Sequence, residues 1–152
     1  MRPASLLAFC IIWLAALPAL AKTALVDDSG TLPYNAAFTL RWAQSEPRGA
    51  AGRLMVGTLA LRVKLNVSPW LRRNGRIYLV LPAQLPGAMT ASWTTQGRLL
   101  PGQLTPGSRT LVYSGPITTP FIEDTVQLTI SVDGRRMLQT YPVNFHFEID
   151  EE

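Results

Sequence analysis

Between Arg135 and Asp150 the sequence alternates. Met137, Tyr141, Val143, Phe145, Phe147 and Ile149 are apolar, while Asn144, His146, Glu148 and Asp150 are polar. Successive side chains of a strand point to opposite faces, so this spacing predicts one long strand with a single apolar face. Such a strand needs a second layer to bury that face, which restricts the chain to a fold built from sheets.

The same period recurs upstream. Phe38, Leu40 and Trp42 alternate with smaller or polar neighbours, as do Leu59, Leu61, Val63, Leu65 and Val67. Met89, Ala91 and Trp93 form another set, Leu111 and Tyr113 a short one, and Val126, Leu128, Ile130 and Val132 a long one. Residues 77–81 are nearly all apolar, as in a strand covered on both faces. No segment of useful length after residue 21 carries a helical period. Pro82, Pro86-Gly87, Pro101-Gly102, Pro106-Gly107 and Gly115-Pro116 punctuate the strands.

Asn74-Gly75 and Asp133-Gly134 can both adopt the positive φ of a two-residue hairpin turn. The second pair predicts that residues 124–132 and 136–149 form a closing hairpin. Pro142 cannot donate to a ladder, so the last strand should bend or change partners near Tyr141. About seven short strands without helices predict an all-β, immunoglobulin-like antiparallel β-sandwich. A small barrel is the structural alternative.

Residues 1–21 have the form of a secretory signal: Arg2, an apolar run from Leu6 to Leu17, then Ala19-Leu20-Ala21 as a small-x-small cleavage site. The apolar run is shorter than the roughly twenty residues a bilayer span needs. Export with cleavage is therefore expected, leaving a single domain over 22–152 and no stable membrane span. Cys10 is the sole cysteine and lies in this segment, so the mature chain would use no disulfide. The formal net charge of the whole chain is only +4. That small excess and the expected export both argue against a nucleic-acid partner.

The chemistry-bearing residues are sparse. His146 is the sole histidine, and with Glu148 on the same strand face it falls short of a zinc ligand set. Ser92, Ser114 and Ser131 lie outside any G-x-S-x-G elbow. Glu123 and Asp124 are sequence neighbours in a turn before a strand, which tends to splay them apart instead of converging them as glycoside hydrolysis requires. Gly49 to Gly52 lacks the lysine and helix of a phosphate loop. The expectation is a non-enzymatic protein with no cofactor and no metal site. Asn66-Val67-Ser68 matches a glycosylation triplet; the composition and the type of signal look bacterial, and there the triplet is usually meaningless. The best contact candidate is Trp70 with Arg72, Arg73 and Arg76. These could stack on sugars or clasp carboxylates in a self-contained glycan- or protein-binding module, unless the tryptophan packs back onto the sheet.

The signal, the cysteine-free β-domain and the terminal alternating strand together resemble subunits of chaperone–usher fimbriae. The resemblance implies a pilus-associated protein of the periplasm or cell surface of a Gram-negative bacterium. It also implies an incomplete sandwich, with a periplasmic chaperone and then other fimbrial subunits as partners that supply the missing strand. On this reading Tyr141, Val143, Phe145, Phe147 and Ile149 form the strand-pairing edge. Residues 22–35 would be a candidate donor extension, although Thr23 to Asp28 alternate poorly. The family's near-terminal tyrosine is replaced by Ile149-Asp150-Glu151-Glu152, and the nearest upstream glycine is Gly134. A minor, terminating or accessory component fits these departures better than a major pilin.

Overall fold

A computed structural model describes residues 22–34, 39–43, 53–83, 89–136 and 144–151. The signal segment, the Gly49–Gly52 stretch, and Phe38, Met137, Tyr141, Pro142 and Val143 lie outside the described residues.

The described residues form ten strands: β1 (Thr23–Val26), β2 (Leu32–Pro33), β3 (Arg41–Trp42), β4 (Leu54–Asn66), β5 (Asn74–Val80), β6 (Met89–Thr95), β7 (Gly102–Leu104), β8 (Arg109–Pro116), β9 (Phe121–Asp133) and β10 (His146–Glu151). They build two antiparallel sheets. The first runs β1-β10-β5-β8, and the second runs β2-β4-β9-β6-β7, with β3 also paired to β4. The expected all-β sandwich is what the chain forms. From β4 onward every connection but the one between β6 and β7 changes layer, so most neighbours in sequence face each other across the core.

The period-two patterns explain the burial. Ile122, Val126, Leu128 and Ile130 of β9 point inward, as do Val63 and Leu65 of β4 and Ala91 and Trp93 of β6. Ile77 and Leu79 of β5 and Phe147 and Ile149 of β10 close on them from the other layer. Each fully buried aliphatic side chain contributes about 1.5–3 kcal/mol. Asp124 is the one polar member of the buried set. Its carboxylate accepts the backbone N–H groups of Gln96 at 3.2 Å and Leu99 at 2.8 Å, which fixes the turn between β6 and β7. Burial without such donors would cost about 1–3 kcal/mol.

Two expected hairpins are absent. Asn74 and Gly75 are the first residues of β5, not a turn. The chain reverses earlier, through a 3-10 turn at Ser68–Trp70 and through Arg72, which takes a positive φ of 66°. Gly75 is required for space: a Cβ there would lie 2.8 Å from Ile149 Cδ1 and 3.0 Å from Ile117 Cδ1. The closing hairpin fails for a different reason. Both sides of β9 are taken, by β4 and by β6, and β10 belongs to the other sheet. Gly134–Arg136 form a second 3-10 turn where the chain leaves β9.

Candidate strand-pairing edge

β10 is positioned by β5, with which it pairs from His146↔Val80 to Glu151↔Gly75. Its inward residues are Phe147, buried, and Ile149, with no exposed surface at all. Phe145, just before the strand, is half-buried and packs on the same core. Of the five residues expected to form a pairing edge, these three share one apolar face. The other two, Tyr141 and Val143, lie outside the described residues.

The edge itself is displaced by one strand. β10 is flanked on its other side by β1, in register from Thr23↔Asp150 to Val26↔Phe147. Phe147 and Ile149 therefore sit inside the sheet, and the border of that layer is β1. The cover comes from the N-proximal segment whose poor alternation had argued against a pairing role. Ala24 and Val26 supply the inward pair, with Val26 buried. The signal was present but only two residues long, and Asp27-Asp28 interrupts it.

Polar groups hold this cover in place. The Thr23 hydroxyl donates to Asp150 Oδ1 at 2.6 Å. Arg109 of β8 reaches across β5, with Nη2 3.0 Å from Asp150 and Nε 3.7 Å from Glu148. Its guanidinium lies 3.8 Å from the Tyr78 ring centroid, which orients it. The Thr23 hydroxyl has the largest effect on the Asp150 carboxyl; burial, next in size, opposes it, and the hydrogen bond and charge of Arg109 with the charge of Arg76 keep the group below its ordinary range. His146 Nε2 lies 3.3 Å from Glu148 Oε1 on the same outer face. Among the described residues no three His, Cys, Asp or Glu side chains cluster as a metal site would require.

The end of β10 explains the Trp70 cluster. Trp70 is only 7% exposed, and its indole N–H donates to Glu151 Oε1 at 2.9 Å. Arg73 Nη1 donates to Glu151 Oε2, also at 2.9 Å. The carboxylate clasped by this tryptophan and arginine is the chain's own. Trp70 therefore packs back onto the sheet, the alternative its sequence left open, and offers no open ring to a ligand. Arg72 and Arg76 are exposed and outside this clasp; Arg76 adds its charge near Asp150. Glu151 was hidden in the sequence within an apparently solvated acidic tail.

After Val26 the chain changes layers. Asn66 of β4 donates its N–H to the Asp27 carbonyl at 2.9 Å, and β2 then joins the second sheet. Where β1 departs, a cavity of about 450 Å³ lies between the sheets. Leu61, Val63, Trp93, Leu128, Phe145 and Phe147 are among its apolar lining, with Asp28, Thr31 and Asn144 as polar lining. Glu123 and Asp124 face opposite sides of β9: Glu123 pairs with Lys64 at 3.2 Å, and Asp124 is buried. No helix among the described residues is long and apolar enough to cross a membrane. No protein family, curated protein or solved structure matches this chain.

Proposed function

We propose that this is a non-enzymatic exported bacterial protein, a fimbria- or pilus-associated subunit that works by strand pairing with a periplasmic chaperone or a neighbouring subunit. The observation that supports this reading is the cover on β10. A strand whose inward Phe147 and Ile149 are buried is bordered on one side by only four residues. Those residues come from the opposite end of the sequence and then leave the layer. A partner strand in that position would make the same backbone hydrogen bonds and place alternate side chains where Ala24 and Val26 sit. The cavity between the sheets is lined by Phe147, the residue with which Val26 is in register. With β1 away, β10 would be an unpaired apolar edge, the kind of surface that aggregates unless a chaperone covers it.

The test uses the full chain with a labelled synthetic peptide of residues 22–33, and co-expression with a periplasmic fimbrial chaperone. Slow incorporation of the peptide alongside β10, and a higher soluble yield with the chaperone, are expected. Equal yield of a monodisperse monomer without the chaperone, and no peptide uptake, would refute strand exchange. That outcome would favour the second reading, a self-contained glycan- or protein-binding module, because β1 already closes the sandwich.

A further inference from the structure

The register of β1 on β10 would carry Asp28 to a place opposite Phe145, beyond the last pair Val26↔Phe147. The chain does not continue there. The Asp27 carbonyl accepts the Asn66 N–H at 2.9 Å, which draws the chain to β4. Asp28 then begins a turn, closed by the Thr31 N–H on its carbonyl at 2.8 Å. β1 and β10 part like a fork, and the cavity of about 450 Å³ opens between the sheets at that fork. Val63, Leu128 and Trp93 wall it from one layer, and Leu79, Val112 and Phe147 from the other. All six are buried.

Its size and lining are those of a small-molecule site, which holds roughly 300–1,000 Å³ between mostly apolar walls with a few polar groups. A molecule that packs against such walls adds stability in proportion to the space it fills. The polar groups stand together on one side. Asp28 and Thr31 are half-buried and Asn144 is exposed, so the cavity opens past them. The Thr31 hydroxyl oxygen accepts the Lys64 N–H at 3.1 Å. Among the described residues no hydrogen bond or ion pair takes up the Asp28 carboxylate. Lys64 packs its stem beside Gly30 of the same turn, but its ammonium pairs with Glu123 at 3.2 Å. The mouth thus carries a negative charge over an apolar interior.

We propose that this cavity binds a small amphiphile, with an aliphatic body between the sheets and an ammonium head paired with Asp28 at the mouth. Charge selects the head group, because the Asp28 carboxylate attracts a cation and repels another carboxylate. Thr31 and Asn144 add hydrogen-bonding groups beside it. The walls select the body: aliphatic and aromatic side chains give a polar tail no partner for its hydrogen bonds. β1 stays on β10 throughout, so the site does not rest on strand pairing with a partner.

Titration of the full chain with n-octylamine, n-octanol and n-octanoate at neutral pH tests the site, followed by calorimetry and by backbone amide NMR shifts. Octylamine should bind saturably and about fivefold more tightly than octanol, with octanoate the weakest. The amide shifts should gather on the strands that wall the cavity, and the thermal midpoint should rise with octylamine concentration. Asp28→Asn, in a half-buried turn, should bring octylamine to the affinity of octanol and leave octanol unchanged. Leu61→Trp fills the cavity from its wall and should weaken octylamine and octanol at least about tenfold. Asp28→Asn serves alone if the tryptophan variant misfolds. Failure of all three compounds to saturate the chain overturns the proposal. So do shifts confined to the outer faces of the sheets, octanoate bound as tightly as octylamine, or a preference for octylamine that survives Asp28→Asn.

Discussion

β9 and β10 are both interior strands with strictly alternating buried side chains, yet they are held very differently. β9 lies against β4 along all thirteen of its residues and against β6 along seven of them. β10 lies against β5 along six residues and against β1 along four. Backbone ladders and apolar burial grow together with paired length, so one layer has a thick spine and the other a thin border. Proteins open locally where few contacts oppose it, and elements that move are drawn from that end of the range. The sandwich thus sets a short, four-residue pairing beside a strand whose inward Phe147 and Ile149 are both buried.

Truncating the two sides of the β10–β1 contact tests this contrast most strongly. Ile149→Ala removes a fully buried side chain and should cost about 3 kcal/mol of unfolding free energy. Val26→Ala, on the cover, should cost about 1.5 kcal/mol. Urea unfolding gives both values, and amide exchange adds a second reading. Val26→Ala should speed exchange in β1 and β10 while leaving β9 protected. If protection falls equally in β9, the border is part of the spine and the comparison fails.

The same contrast separates what the sequence made legible from what it hid. Leu128, Phe147 and Ile149 announced their strands because half-burial imprints a period of two, whatever the partner. Partner choice leaves no such imprint. Asp133-Gly134 encodes a change of direction, and a hairpin follows only when the next strand lies in the same layer. Asn74-Gly75 looked like a turn because Gly75 is also what close packing against Ile149 requires. β1 was hardest to read: two inward residues carry too little pattern, and Thr23 meets Asp150 across 127 positions. Trp70 and Arg73 were read as able to clasp a ligand's carboxylate; the carboxylate they hold is the chain's own. That the carboxylate is Glu151 depends on where β10 ends, a tertiary fact.

Removing that carboxylate should have a smaller effect than the core truncations. Glu151→Ala leaves the Trp70 indole N–H without its acceptor and should destabilise by about 1 kcal/mol. Arg73→Ala should cost less, within the ~0–1 kcal/mol typical of surface pairs, because the arginine side chain is 57% exposed. Glu151→Gln keeps an acceptor for the indole and should fall between them. The ordering, read from denaturant midpoints, shows whether β10 is anchored by the buried hydrogen bond or by charge. Arg73→Ala as the costlier change would reverse that assignment.

The smallest expected effect sharpens the role of the border. Asp150 is held below its ordinary value of 3.8 first by the Thr23 hydroxyl, then by Arg109. A carboxyl with a depressed folded-state value binds fewer protons folded than unfolded, so its contribution is full above the ordinary value. It fades as pH falls through the lower, folded value. Acid should therefore loosen β1 from β10 before it touches the β4–β9 ladder. Thr23→Ala should move the Asp150 titration, followed by NMR, upward toward 3.8 and flatten that acid dependence. Asp27 supplies the control. Its carboxyl is held low by the Ser29 hydroxyl and N–H, so it should titrate unchanged in the variant. If Asp150 also stays put when Thr23 loses its hydroxyl, Arg109 and Arg76 set its charge, and the polar tie between β1 and β10 reduces to backbone pairing.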